Sequence, residues 1–201
     1  MMEVAAFVKP DFIVNVVPNL DGDITGIFTG NWISAWQKAT QMVDEIFGVT
    51  IDEQADIVIA SAGGYPKDIN LYQSQKTIDN AVYAMKPGGI AIILADCPDI
   101  KEPGEFFDWF SYPSAFDMEK AVRENFLISG WVAVRQLEYA NRGHIILVTQ
   151  EKNIKLAENA GVQGVTSMEE ALAIAYEKCD QNRPKITIMP QGANTFPILE
   201  T

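Results

Sequence analysis

Histidine and cysteine are the scarcest reactive residues of this chain. There is one histidine, His144, and there are two cysteines, Cys97 and Cys179, which lie far apart and lack the spacing of metal ligands. This scarcity excludes a metal site built from histidines and a pair of imidazole groups for acid–base catalysis. The sequence therefore predicts no catalytic and no metal-binding residue, and the cysteines are expected to be free thiols, as in a reducing cytoplasm.

Long apolar runs and positive charge are also in short supply. No apolar run approaches the roughly 18 residues of a membrane span, and the first residues lack a signal-peptide pattern, which together favour a cytoplasmic location. The chain has 15 basic and 27 acidic residues and a net charge of −12. That charge argues against nucleic acid and anionic membranes as partners, and it means that an anionic substrate would need a local cation.

Strands that alternate with helices make up most of what is present. Residues 12–17 and 24–29 flank the turn signal Asp21-Gly22-Asp23 and predict a β-hairpin, which a helix over residues 32–47 follows. Apolar runs predict further strands at residues 57–60, 90–95, 143–149 and 185–189. The expected fold class is α/β, with three α/β/α layers around a mainly parallel sheet. The length of 201 residues predicts a single domain, 1–201.

The stretch from Ile57 to Lys76 organises the candidate site. A buried strand ends at Ala60, and Gly63-Gly64-Tyr65-Pro66 forms a loop in which the glycines permit a positive φ and close approach of a ligand. Asp68 belongs to the same loop, and Asn70 is the predicted N-cap of a helix that begins at Leu71. A strand, a loop and a helix in this order place functional groups at the carboxyl edge of a parallel sheet.

Two polar residues of that helix have the spacing of a carboxylate-binding pair. Gln73 and Lys76 are three residues apart and leave the same helix face. A cation and an amide near a helix N-terminus suit a small carboxylate, because the free N–H groups there favour negative charge. Spacing alone favours the simpler interpretation, in which both are solvated surface side chains.

Family resemblance changes that balance. The run SAGGYPKDINLYQSQKTIDNAVYAMKPGG resembles the C-terminal half of the nickel-dependent lactate racemase family, because its glycine loop, Tyr-Gln pair, lysine and KPGG turn occur in the same order. The resemblance implies that Tyr72, Gln73 and Lys76 line a substrate site and that the last two contact a small 2-hydroxy acid. Trp131, in a predicted helix from Gly130 to Tyr139, is the best match to a further tryptophan at that site.

The same resemblance implies what this chain does not supply. In the family, a nickel pincer nucleotide and the proton-transferring histidines belong to an N-terminal half, which this sequence is expected to lack and to require as its partner. The isolated chain is therefore expected to be inactive and to hold no cofactor.

Two alternatives to a racemase function stay open. The segment MKPGGIAIIL also resembles methyltransferases that use S-adenosylmethionine, although no acidic strand end precedes the glycine loop. A non-catalytic α/β ligand-binding module would also fit a chain without acid–base pairs.

Overall fold

Residues 2–200 are described by a computed structural model, in which the chain divides into two compact units, one ending at Val49 and the other beginning at Thr50. A single domain over residues 1–201 stays a prediction. The strands, in chain order, are β1 Ile13–Pro18, β2 Ile24–Gly30, β3 Gly48–Ile51, β4 Ala55–Ser61, β5 Met85–Leu94, β6 His144–Val148, β7 Gln163–Val165, β8 Ile186–Met189 and β9 Phe196–Leu199. The α-helices are α1 Met2–Val8, α2 Trp32–Phe47, α3 Leu71–Ala84, α4 Gly104–Asp108, α5 Ala115–Glu124, α6 Ile128–Arg142, α7 Ile154–Asn159 and α8 Met168–Lys178.

The first unit contains the predicted hairpin. Strands β1 and β2 pair antiparallel, and the Asn19 side chain closes their turn by accepting from the backbone N–H groups of Asp21 and Asp23. Helix α2 packs on this hairpin and buries Ala35 and Ala39. The side chain of Asn31 caps the helix by accepting from two backbone N–H groups of its first turn. The hairpin and the following helix were both predicted, and both predictions are confirmed.

The second unit is built on a five-stranded parallel sheet in the order β7-β6-β5-β4-β8. Strand β4 lies between β5 and β8, so Ile57 pairs with Ile90 on one side and with Ile186 on the other. Because β5, β4 and β8 are adjacent and run parallel, the loops that follow them lie side by side at the carboxyl edge of the sheet. A separate two-stranded sheet pairs β3 with β9.

Alternation along the strands creates two apolar cores. Val58, Ala91 and Ile93 face one side of the sheet, where they pack with residues of helices α3, α6 and their neighbours. Ile57 and Ile92 face the other side, where they pack with residues of α8. Strands covered on both faces need an apolar central stretch, as β4 has over residues 57–60 and β5 over residues 90–94. Helices on both faces of a parallel sheet confirm the predicted α/β/α layers.

Three short strands and the beginnings of one strand and one helix differ from the prediction. Strand β5 begins at Met85 rather than at Ile90, so the predicted KPGG turn lies within the strand. Strands β3, β7 and β9 were not predicted, because they have only three or four residues each and two of them contain Gly164 or Pro197. Helix α6 begins at Ile128 rather than at Gly130. Within residues 2–200, none of the helices combines the length and the apolar character that crossing a membrane requires.

Candidate functional site

The glycine loop leaves the sheet at the carboxyl end of β4. Gly63 and Gly64 have φ values of 87° and 80°, in the left-handed region that disfavours residues with a Cβ. The end of the loop is held by backbone hydrogen bonds that the N–H groups of Cys97 and Asp99 donate to the carbonyls of Asp68 and Ile69, at 2.9 and 3.0 Å. The loop therefore has a fixed course into α3.

Helix α3 begins as the sequence predicts. The Asn70 side chain accepts a 2.8 Å hydrogen bond from the backbone N–H of Gln73, which confirms Asn70 as the N-cap. Leu71, Ile78 and Ala81 are buried against the sheet. The opposite side of the first turns therefore faces away from the sheet, and it carries Gln73 and the exposed Lys76.

A cavity of about 280 Å³ lies between helices α3 and α6, and we call it the α3–α6 cavity. It brings together the four residues that the resemblance assigns to substrate binding. Its lining residues are Tyr72, Gln73, Gln75, Lys76, Asp79, Trp131, Val132 and Arg135. The Lys76 ammonium donates a 3.2 Å hydrogen bond to the Gln73 side-chain oxygen, so the predicted pair forms one polar group.

The charges that line the α3–α6 cavity are Lys76, Arg135 and Asp79. Arg135 is partly committed to Asp79, whose Oδ1 lies 3.9 Å from a guanidinium nitrogen. Burial raises the pKa of the Asp79 carboxyl, and the neighbouring Tyr139 hydroxyl and Arg135 guanidinium oppose that rise. Two cations against one such carboxyl leave the lining with a net positive charge, which favours an anionic ligand.

The glycine loop lines a different cavity. A space of about 350 Å³, which we call the loop-edge cavity, lies at the carboxyl ends of the parallel strands and is lined in part by Gly64, Asp68, Asp96 and Thr149. Gly63 and Tyr65 line neither cavity, and Tyr65 is 79% exposed. The structure thus places the predicted residues in two cavities, with Gly64 and Asp68 at the sheet edge and the residues of α3 beside α6. Helix α3 runs back along the sheet face, so Lys76 faces α6 rather than the sheet edge.

Comparison with known proteins now bears on this geometry. Residues 50–196 match the model of the lactate racemase C-terminal domain family. The chain belongs to this family. It is 35% identical over 190 residues to lactate racemase of Thermoanaerobacterium thermosaccharolyticum, with 92% of this chain and 44% of that protein covered. It is 28% identical over 205 residues to lactate racemase of Lactiplantibacillus plantarum, with 96% and 46% covered.

Solved structures give the same result. The lactate racemase apoprotein from T. thermosaccharolyticum superposes with a TM-score of 0.84 at 32% identity, covering 98% of this chain and 48% of that one. A Thermotoga maritima protein superposes with a TM-score of 0.61 at 13% identity, which supports the fold alone. The chain spans about half the length of the lactate racemases that it matches. The resemblance found in the sequence is confirmed, and family membership decides against the methyltransferase alternative.

Sequence reasoning missed three polar residues of this lactate racemase C-terminal domain. Gln75, Asp79 and Arg135 line the α3–α6 cavity beside the predicted residues. Two of them could have been predicted from the sequence, because Asp79 follows Lys76 by three positions and Arg135 follows Trp131 by four. Residues at such spacing share a helix face.

The side chains of this domain do not fit a nickel centre. Within residues 2–200, no three His, Cys, Asp or Glu side chains are grouped closely enough to hold a metal ion. His144 begins β6 at the amino end of the sheet, where its Nε2 lies 2.6 Å from Oε1 of Gln163. Burial raises the pKa of the Cys97 thiol to about 11, which keeps it protonated at neutral pH and makes it a poor metal ligand.

Proposed function

We propose that this chain is the substrate-side half of a lactate racemase-like enzyme, an isomerase that racemises or epimerises a small 2-hydroxy acid. The observation that carries the proposal is the α3–α6 cavity. Tyr72, Gln73, Lys76 and Trp131 line this one space, and its charged lining residues carry a net positive charge on a protein whose overall charge is −12. A small carboxylate is the ligand that such a lining favours.

Each of the four residues has a role that its chemistry suits. The Lys76 ammonium binds the substrate carboxylate, and the N-terminal half-dipole of α3 adds to the attraction. Gln73, in contact with Lys76 at 3.2 Å, offers its amide to a carboxylate or hydroxyl oxygen of the substrate. The rings of Tyr72 and Trp131 cover the carbon skeleton and exclude water. These residues bind and orient the substrate, and we assign none of them a proton-transfer step.

The proposal includes a partner domain. An N-terminal half of the full-length protein would carry the nickel pincer nucleotide and the acid–base groups, and it would close over the α3–α6 cavity. Support comes from the family resemblance and from the chain's span of about half the length of its relatives. A cytoplasmic location is proposed from the two widely separated cysteines, which suit free thiols in a reducing compartment. The net charge of −12 argues against nucleic acid and anionic membranes as partners.

Replacing the cation tests this function. In the full-length protein, Lys76→Ala is expected to lower kcat/KM for 2-hydroxy acid racemisation by about 10²-fold or more. A charge-assisted hydrogen bond is worth roughly 1.5–3 kcal/mol and also orients the substrate. Lys76→Arg should restore little, because the planar guanidinium differs in shape and hydration from an ammonium. The isolated chain, assayed alongside, should show no racemisation.

Lys67→Ala provides the matched control. Lys67 belongs to the loop that precedes the same helix but does not line the α3–α6 cavity. Its removal should leave kcat/KM nearly unchanged. Equal losses from the two variants would mean that general electrostatics, rather than a specific anchor, attracts the substrate, and the assignment of Lys76 would be wrong.

A further inference from the structure

Three residues of α6 form a stack beside the α3–α6 cavity. Trp131, Arg135 and Tyr139 follow one another at intervals of four residues and therefore share a helix face. The guanidinium carbon of Arg135 lies 5.8 Å from the centroid of the Trp131 ring and 4.7 Å from that of the Tyr139 ring. Both distances are within the range of cation–π contacts.

The guanidinium in this stack is held from several sides. One of its nitrogens donates a hydrogen bond to the Tyr139 hydroxyl, and the same nitrogen lies 3.9 Å from Oδ1 of Asp79 on α3. A second nitrogen donates to a Glu138 carboxylate oxygen at 3.3 Å. The Arg135 side chain is only 29% exposed. These contacts engage both terminal guanidinium nitrogens, whereas Nε is buried without a hydrogen-bond partner, so Arg135 is less available to bind a substrate carboxylate than the exposed Lys76 is.

Trp131 is not held by burial. It is 50% exposed, and it borders both the α3–α6 cavity and a second cavity, of about 510 Å³, that residues of α5 help to line. Arg135 borders the same two cavities. The stacked pair therefore lies between the two cavities, and the indole ring forms part of the wall of each.

We infer that Arg135 is a positioning residue whose guanidinium holds the Trp131 ring in place as one wall of the α3–α6 cavity, and that Asp79 anchors this guanidinium from α3. The inference extends the proposed function, on which the substrate-binding role of Trp131 rests. It separates two tasks among the cations of the cavity: Lys76 binds the ligand's charge, whereas Arg135 fixes the wall against which the ligand's carbon skeleton packs.

The orientation of Trp131 can be measured without any ligand. The 201-residue chain contains four tryptophans, so Trp131→Phe identifies the Trp131 indole signal in a ¹⁵N NMR spectrum. Arg135→Met removes the charge and the planar group but keeps an unbranched side chain. We expect the indole resonance to shift and the equilibrium constant between the stacked and the unstacked ring to fall about two- to fivefold, the ratio that a cation–π contact at an exposed site supplies. Asp79→Asn should change the signal in the same direction by less.

Two further variants make the test decisive. Arg142→Met removes another arginine of the same helix, at a position about 16 Å from Trp131 along the helix axis. This variant should leave the Trp131 signal unchanged. Arg135→Lys keeps the positive charge but replaces the planar guanidinium with an ammonium. This variant should also loosen the Trp131 ring, because an ammonium does not stack on an aromatic ring as a guanidinium does. If Arg135→Met leaves the Trp131 resonance and its mobility unchanged, or if Arg135→Lys restores them fully, the inference is wrong. Since no ligand is present, these results are independent of the Lys76→Ala kinetics that test the proposed function.

Discussion

The α3–α6 cavity and the loop-edge cavity lie in the same compact unit, the second, but differ in charge and construction. The first is bounded by two helices and has Lys76 and Arg135 against a single carboxylate, Asp79. The second lies at the carboxyl ends of parallel strands, and its charged lining residues are the carboxylates Asp68 and Asp96. The charges of the first cavity favour an anionic ligand, and those of the second disfavour one.

This difference shows the limit of a common rule. Ligands of open α/β sheets usually bind at the carboxyl ends of the strands, and that rule alone would select the loop-edge cavity. For an anionic ligand, the charges instead favour the α3–α6 cavity. The supports of the two cavities differ as well, because Tyr72 of the first packs on the aromatic core, whereas hydrogen bonds hold the backbone of the second. Three measurements test whether the supports of the two cavities differ in this way.

The largest effect is expected from the aromatic core behind the α3–α6 cavity. Phe106 is fully buried, and its ring lies edge-on to that of Tyr72 with centroids 5.6 Å apart. Phe106→Ala should lower the free energy of unfolding by about 3–5 kcal/mol in urea titrations, because it removes a buried ring and leaves a cavity. Phe116→Ala, at a position that is 75% exposed, should change it by less than about 0.5 kcal/mol. Similar losses in the two variants would contradict a packing-supported cavity.

A smaller effect is expected at the loop-edge cavity. Asn153 is fully buried, and its amide donates hydrogen bonds to the carbonyls of Asp96 and Cys97 and to the Thr149 hydroxyl, at 3.2, 2.8 and 3.1 Å. Asn153→Ala would leave the Cys97 carbonyl without this donor, while the Asp96 carbonyl would keep its 2.9 Å hydrogen bond from the Thr149 hydroxyl, so unfolding should become easier by about 1–3 kcal/mol. The exposed Asn159 of α7 is the control, and its alanine variant should unfold as the wild type does. A neutral Asn153→Ala would show that hydrogen bonding does not support this cavity.

The smallest effect lies at the amino end of the sheet, away from both cavities. The Lys86 ammonium and the Lys185 backbone N–H each donate a 2.8 Å hydrogen bond to the Asp56 carboxylate, and together they hold its pKa below the ordinary value of 3.8. A lowered pKa in the folded state means that this stability is present above about pH 4 and is lost as pH falls through the folded-state pKa.

Urea titrations at pH 7, 5, 4 and 3 test this dependence. Asp56→Asn should be less stable than the wild type at pH 7, and the difference should shrink as pH falls below about 4, because the unfolded-state carboxyl then binds protons that the folded state, with its lowered pKa, does not. Asp52→Asn, at an exposed neighbouring aspartate, serves as the control. A difference that stays constant from pH 7 to pH 3 would mean that the ion pair does not stabilise the fold.

Periodicity and turn chemistry made much of the fold predictable. The hairpin, the strands at β4, β5, β6 and β8, and the N-cap at Asn70 follow from apolar runs and from capping residues, which are local signals. Strand β9 could not be predicted from the sequence, because Pro197 argues against a strand there. Only its pairing with β3, which the tertiary fold creates, accounts for this strand.

The candidate site was predictable to a smaller extent. Local spacing placed Gln73 and Lys76 on one face of α3, and resemblance added Tyr72 and Trp131. Neither signal shows that α6 packs against α3, and this packing is what brings Arg135 within 3.9 Å of Asp79. Contacts between helices that are distant in sequence depend on the tertiary fold, so this part of the site required the structure.

The position of β4 between β5 and β8 has a consequence for how the chain folds. Asp56 and Lys185, which are hydrogen-bonded where β4 and β8 begin, are 129 positions apart in the chain. A growing polypeptide can form the β4–β5 pair early but must wait for nearly the whole domain before β8 arrives. Until then, β4 is an uncovered edge made of Ile57, Val58 and Ile59, which another chain in the same state could extend. Late arrival of β8 therefore makes the nascent domain a candidate for chaperone protection during synthesis.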